Sequence, residues 1–173
     1  MSLRFAMLGS LAKEPASGYD LVQRFDNKLN FVWWASHGAV YTELQKLEAD
    51  GLITSSDEGA RGRVEYAVTE TGRDAVRTWL TSPVARRPKD ELILRIFHLW
   101  LLEPEDAADF LDQLANEYRD RLALYESRDG SAADGPAEGP AFFDAIALRA
   151  GIHHERAMLA WAEESAAAIR SAR

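Results

Sequence analysis

The chain contains no cysteine. That excludes disulfide cross-links, thiol-based redox sensing and any cysteine-ligated zinc or iron–sulfur site. Long hydrophobic runs are missing too: the most apolar stretch, Leu92 to Leu102, is interrupted by Arg95 and His98 and falls short of the ~18 residues that span a bilayer. The opening MSLRFAMLGSLAKEP lacks the apolar core and small-residue cleavage site of a signal peptide, so a cytoplasmic location without membrane association is expected. Basic charge is also scarce, with 20 Lys/Arg against 28 Asp/Glu and a net charge of −8. Residues 1–82 hold 9 basic against 11 acidic residues, and residues 83–173 hold 11 against 17. A phosphate-binding surface should be basic, so any DNA binding must rest on a local patch. What remains is globular: 173 residues, 47% of them hydrophobic, suit one large domain or two small ones.

Hydrophobic spacing organises the first half. Leu3, Met7, Leu8 and Leu11 recur at helical intervals over 2–12, and Lys13-Glu14-Pro15-Ala16 ends that helix. Ser17-Gly18 opens a second helix whose apolar face is expected to carry Tyr19, Val22 and Phe25. After a connector with Phe31, Trp33 and Trp34, Ser36 is placed to cap a third helix, with Val40, Leu44 and Leu47 as its buried stripe and Asp50-Gly51 as its end. Gly51 suits the left-handed position that follows a helix. The period then shifts to two: Leu52–Ser56 and Val64–Val68 read as strands around a tip, Asp57 to Arg63, with two glycines and two arginines. Thr69 caps a fourth helix containing Val76, Trp79 and Leu80. Three helices, a hairpin wing and another helix within about 80 residues is a winged helix-turn-helix order.

Pro83 and Pro88 mark the boundary to a second, all-helical half, so the predicted domains are 1–82 and 83–173. The fold class is mainly α with a small β-wing. Glu91 to Leu102 is apolar on nearly all sides, as a helix buried between domains or subunits would be. Pro104 begins the next helix, with acidic residues in its first turn where the helix dipole favours them. Phe110, Leu111, Leu114, Tyr118, Leu122 and Tyr125 form a coiled-coil-like seam on it. A Gly/Pro/Asp/Ala-rich loop over 127–140 leads to a last helix from about Ala141 to Ser171. Phe143, Ile146, Ala150, Ala157, Met158, Trp161 and Ile169 are expected to face inward on it.

The stretch from Ser36 to Ile53, followed by an arginine-tipped hairpin, carries the functional signal. A recognition helix buries one stripe and leaves the opposite face for the major groove. With Val40, Leu44 and Leu47 buried, the polar remainder is Tyr41, Thr42, Gln45 and Lys46. The helix start, with Ser36, His37 and the small Gly38, offers free N–H groups and a positive dipole end to a phosphate. Arg61 and Arg63 on the wing can reach a neighbouring backbone or minor groove. Each residue alone also has a plain reading: Tyr41 as domain-edge packing, Lys46 as surface charge, the Arg-Gly-Arg tip as a solvated turn.

In this order and spacing the chain resembles the PadR family of transcriptional regulators. The matching pieces are Ala6-Met7-Leu8-Gly9-Ser10-Leu11, Ser17-Gly18-Tyr19-Asp20-Leu21, the Trp33-Trp34 pair and Ser36-x-Gly38-x-x-Tyr41-x-x-Leu44-x-x-Leu47-Glu48-x-x-Gly51-Leu52-Ile53. Tyr66-Ala67-Val68-Thr69-Glu70-Thr71-Gly72 and Trp79-Leu80 complete the match. It is dense over 3–80 and weakens beyond 82 to the pattern of members with a larger C-terminal domain. The resemblance implies a homodimer whose recognition helices read a palindromic double-stranded DNA operator. It also implies repression relieved by a small aromatic or planar effector near the dimer interface. Residue by residue, it places Tyr19, Tyr41 and Lys46 on DNA-facing positions and Arg61 and Arg63 on the wing. One position departs: the family commonly has proline where this chain has His37, which gives up a pre-set φ and adds a donor whose charge depends on pH.

Other signals carry less. His153 and His154 are adjacent, so on a helix they point ~100° apart and cannot chelate one ion together, and His37 and His98 are distant; no metal site and no cofactor are expected. No nucleophile elbow, phosphate-cradling glycine loop or acid–base pair is present, so the chain is not expected to be an enzyme. Trp33, Trp34, Phe97, Trp100 and Trp161 are candidate effector contacts, because ligand pockets favour aromatic linings at domain interfaces; ordinary core and dimer packing is the competing reading for each. The acidic balance keeps one alternative function open, a winged-helix adaptor for protein–protein contacts. A DNA reader needs Lys46, Arg61, Arg63 and Lys28 on one surface, and an adaptor does not.

Overall fold

The computed structural model describes residues 2–26, 35–59, 63–83, 90–128 and 138–172. The chain divides into two compact units, Met1–Ala85 and Arg86–Arg173. Among the described residues no helix is long and apolar enough to cross a membrane.

The first unit is helical with a small antiparallel sheet. Helix α1 (Ser2–Lys13) buries Met7, Leu8 and Leu11. A two-residue strand, β1 (Ala16–Ser17), leads directly into α2 (Gly18–Arg24). Ser17 closes a capping box: its Oγ accepts from Asp20 N at 3.2 Å while Asp20 Oδ2 accepts from Ser17 N at 3.3 Å, satisfying two otherwise free helix-start donors. Leu21, Val22 and Phe25 form the buried face of this segment. Tyr19, expected on that face, is instead 57% exposed, because Leu21 and Val22 take the inward positions and turn it away. Helix α3 (His37–Ala49) buries Val40, Leu44 and Leu47 as its stripe predicted. Gly51, with φ +68°, ends it. Gly51 N bonds Glu48 O and Leu52 N bonds Leu47 O, both at 2.9 Å, the paired termination that satisfies the last carbonyls of a helix.

Strands β2 (Ile53–Gly59) and β3 (Arg63–Val68) form the wing, and β1 adds to the free side of β3, giving the order β1-β3-β2. Strand β2 starts one residue later than expected because Leu52 completes the α3 termination, and it runs further out. Between Ser56 and Gly59 the register shifts against β3, a bulge of the kind that bends and twists a hairpin. The tip, 60–62, lies outside the described residues. Helix α4 (Glu70–Thr81) is capped by Thr69, whose Oγ1 accepts from Gly72 N at 3.1 Å and donates to Gly51 O at 2.8 Å. One hydroxyl thus ties the start of α4 to the end of α3. Trp79 stacks on Phe5 of α1, ring centroids 4.7 Å apart, while Leu80 stays exposed.

The second unit is all helical. The helix expected through Leu102 stops early: α5 (Glu91–Phe97) gives way at His98 to a 3₁₀ turn, Leu99–Leu101. Leu102 and Glu103 are extended, as the residue before Pro104 must be to clear the proline ring, so the chain has to leave the helix before that point. Helices α6 (Pro104–Glu126) and α7 (Pro140–Ser171) lie antiparallel, as the pairs Arg119–Glu163, Arg156–Glu126 and Arg170–Glu105 show. Their seam repeats at intervals of three, four and seven: Ala108, Leu111, Ala115, Tyr118 and Tyr125 on α6, and Ala145, Leu148, Ile152, Glu155, Ala162 and Ala166 on α7, the spacing of knobs-into-holes packing. This corrects the expected inner face of α7. Phe143, Ile146, Ala150 and Ala157 are exposed, whereas Met158, Trp161 and Ile169 are half-buried. The small alanines let α6 approach along a neighbouring stripe, leaving the bulkier Phe143 and Ile146 outside. Glu155 is buried in the seam and accepts from Arg121 Nε at 3.0 Å, and the Arg121 guanidinium lies 4.7 Å from the Tyr118 ring centroid.

Candidate nucleic-acid interface

On a helix of 3.6 residues per turn, Thr42, Gln45 and Lys46 fall away from the Val40–Leu44–Leu47 stripe, and all three are exposed. Ser36 caps α3, its Oγ accepting from Ala39 N at 3.4 Å. Ser36, His37 and Gly38 are exposed at this end, so the positive end of the helix dipole faces outward. His37 Nε2 lies 3.2 Å from Asp26 Oδ2 just after α2. The histidine standing at the helix start is therefore engaged by a carboxylate of the preceding segment.

Tyr41 flanks the outward face on the α2 side and is 49% exposed. Its ring lies against Gly18: a Cβ built there would stand 2.6 Å from Tyr41 Cε1 and 3.3 Å from Leu44 Cδ1. Behind it, Tyr66 of β3 has its phenol pushed up, chiefly by burial, with Glu48 and Tyr41 adding to the effect. The side-chain placement of Tyr41 thus depends on the absence of a side chain at residue 18.

Three carboxylates of α3 and its cap would oppose a polyanion: Glu43, Glu48 and Asp50. Each has a partner inside the unit. Arg4 of α1 donates from Nε to Glu43 Oε1 at 3.0 Å and from Nη2 to Asp50 Oδ2. Both carboxylates lift the Arg4 pKa above its ordinary value, Glu43 most. Glu48 accepts from Ser55 Oγ on β2. The helix therefore turns its acids to its two flanks while Thr42, Gln45 and Lys46 stay outward.

Of the sequence-predicted contacts, the structure brings Ser36, His37, Tyr41, Thr42, Gln45 and Lys46 onto one helix, and exposes Tyr19 at the start of the neighbouring α2. Arg61 lies outside the described residues, as does Lys28, and Arg63 opens β3 with its side chain undescribed. Sequence reasoning missed Arg4, Asp26, Ser55 and Gly18. Only Gly18 carried a local signal, the Ser-Gly helix start; the others act through pairings up to 46 residues apart.

The candidate effector residues are dispersed. Trp33 and Trp34 lie outside the described residues. Phe97 ends α5 and Trp100 sits on the 3₁₀ turn, 74% and 75% exposed, so the expected placement three apart on one helix is interrupted at His98. Trp161 packs against the α6–α7 seam. Within the second unit an open groove of about 520 Å³ is walled by Leu94, Leu99, Leu101, Leu102 and Phe110, with Glu91, Arg95 and His98 as its polar groups. Among the described residues no group of three or more His, Asp or Glu is placed to hold a metal ion.

Two family models divide the chain much as its two units do. Residues 7–78 match the transcriptional regulator PadR-like family, and residues 88–170 match the virulence activator alpha C-terminal domain. The negative transcriptional regulator PadR of Bacillus subtilis is 31% identical over 96% of this chain and 97% of its own length. Crystal structures of that protein in complex with operator DNA (TM-score 0.81, 27% identity, 96% and 97% of the two chains) and with p-coumaric acid (TM-score 0.82, 27% identity, 98% and 99%) are similar throughout. So is the virulence activator AphA of Vibrio cholerae (TM-score 0.81, 26% identity, 99% of each chain).

Proposed function

The chain belongs to the PadR-like family of transcriptional regulators, and from that premise we propose that it is a homodimeric repressor that binds a palindromic operator through α3 and the wing and is released by a small planar or aromatic effector. The observation that carries the DNA reading is the outward face of α3: Thr42, Gln45 and Lys46 exposed, the helix start open, and every carboxylate of the helix and its cap engaged by a protein partner. Such a face supports phosphate contacts at the helix start and Lys46, and base-edge contacts through Gln45 and Thr42. Arg61 and Arg63, wing residues by sequence, are the further phosphate or minor-groove contacts of this reading. His37 adds a donor at the helix start, in competition with Asp26, where the family commonly has proline.

Dimerisation through the second unit is supported by the apolar surface the protomer leaves open. Ile93, Leu94, Phe97, Trp100, Leu101 and Leu102 are all between 47% and 75% exposed, and Phe143 and Ile146 form a second outward stripe on α7. Contiguous apolar surface of this kind marks an interface. A small-molecule site is supported by the groove between α5 and α6, apolar with Glu91, Arg95 and His98 as its polar groups and Arg95 paired with Glu91, a lining suited to a planar, mostly apolar molecule. Phe97 and Trp100 belong to the same segment. PadR of B. subtilis binds p-coumaric acid, a molecule of that kind.

Titration onto duplex DNA from upstream of the chain's own gene tests the reading. Binding tighter than to a scrambled duplex by a factor of ~10³ or more, weakened by an added aromatic acid, is expected. Equal binding to every duplex, or none, would favour the protein–protein adaptor, the reading that the net charge of −8 otherwise supports.

A further inference from the structure

The DNA surface proposed above sits on a helix that is acidic when counted by residue type. From Ser36 to Gly51 the sequence holds Lys46 against Glu43, Glu48 and Asp50, and a net negative helix placed in a major groove meets closely spaced phosphates. Glu43 and Asp50 lie seven residues apart, on one flank of α3 across from α1. They converge on one cation, Arg4, which bonds both. Its side chain is 30% exposed and that of Glu43 17% exposed, so the Arg4–Glu43 arm is partly buried, whereas Asp50, 51% exposed, is held at the surface.

We propose that Arg4 is a positioning residue for DNA recognition: it offsets one of the two charges on Glu43 and Asp50 and draws both carboxylates toward α1, so that α3 turns its polar and basic face to the duplex. The assignment rests on the DNA-binding reading. It acts in two ways. Two unpaired carboxylates on the helix flank would repel phosphates within a screening length of about 10 Å at ordinary salt. The same two bonds, spaced along two turns of α3, also fix its roll against α1, and with it the direction of Gln45 and Lys46. On the opposite flank Ser55 draws Glu48 toward β2 by a hydrogen bond, orienting it without cancelling its charge. The acidic charge of the helix is thus partitioned to both sides by protein contacts rather than removed from the sequence.

The test uses the full chain, duplex DNA from upstream of its gene, and a random-sequence duplex. Four proteins are compared: wild type, Arg4→Gln, Arg4→Lys, and Arg4→Gln combined with Glu43→Gln and Asp50→Asn. Thermal melting followed by circular dichroism confirms that each folds. The proposal expects Arg4→Gln to weaken binding about tenfold at roughly 50 mM salt and distinctly less near 300 mM, where screening is shorter. Arg4→Lys should keep part of the affinity, because it restores the charge but not the forked geometry. The triple variant should return to within about threefold of wild type at low salt. A structural defect alone would persist at all salt concentrations and would not be rescued by neutralising the partners. Wild-type affinity in folded Arg4→Gln, or an unrescued triple variant, overturns the assignment while leaving the DNA reading intact. No DNA binding by the wild type overturns both.

Discussion

Gly18 at the start of α2 and Tyr41 on α3 are in contact because residue 18 has no side chain: a Cβ there would lie 2.6 Å from Tyr41 Cε1. The obstructed atom belongs to the edge of a half-exposed ring, which can swing outward. Gly18→Ala is therefore expected to leave stability within about 1 kcal/mol of wild type, since alanine also favours the helix, while turning Tyr41 away from its place beside the proposed DNA-facing surface. A melting curve close to wild type together with a several-fold loss of DNA affinity is the expected pairing. Unchanged affinity would show that Tyr41 needs no such seat.

Gly72 presents the opposite case. A Cβ at residue 72 would lie 2.1 Å from the carbonyl oxygen of Leu52, and that oxygen is held by Thr69 N at 3.0 Å. Neither group is the free end of a side chain, so the backbone must separate α4 from the turn after α3. Gly72→Ala is expected to destabilise the first unit by about 3 kcal/mol, lowering its melting temperature by roughly 10–20 °C. A loss of less than about 1 kcal/mol would contradict so close an approach.

The helical unit is expected to be sensitive to alkali. Burial pushes the phenols of Tyr118 and Tyr125 above their ordinary range. The folded state therefore holds their protons at pH values where the unfolded chain releases them, and stability falls as pH rises past about 10, the unperturbed tyrosine value. Below that pH the contribution is fully present. Thermal melts between pH 8 and pH 11 check this, with Tyr118→Phe plus Tyr125→Phe expected to flatten the alkaline decline. An identical decline in the double variant would place the cause elsewhere.

Much of the first unit was legible in the sequence because its signals are local. Ser36, the Val40–Leu44–Leu47 stripe, Gly51 and Thr69 each act within a few residues, and each does in the structure what its type and spacing suggest. Strand β1 was not legible: two residues carry no periodicity, and Ala16 and Ser17 are a strand only because β3 lies alongside. On α7 the expected face was rotated from the true one: Phe143, Ile146, Ala150 and Ala157 were read inward, but the buried stripe runs through Ala145, Leu148, Ile152, Ala162 and Ala166, and in a helix this rich in alanine several stripes look equally apolar. The Tyr19 placement failed because an aromatic ring three residues before Val22 fits an apolar helical stripe, although Leu21 and Val22 take the inward positions. The Arg4 bridge had no local trace, because its partners become neighbours only when α1 and α3 pack. The polar face of α3 was thus readable residue by residue, whereas the device that disposes of its acids was not.

If an acidic chain binds operator DNA through a small local patch on α3 and the wing, its affinity must fall with salt by an amount set by that patch. In a plot of log K against log salt for wild type and Lys46→Ala on the same upstream duplex, the wild-type slope is expected to be about −5, from roughly three phosphate contacts in each protomer of a dimer. Lys46→Ala should make it shallower by about 2, one contact per protomer. A slope near zero, or one that Lys46→Ala leaves unchanged, would contradict binding through that patch.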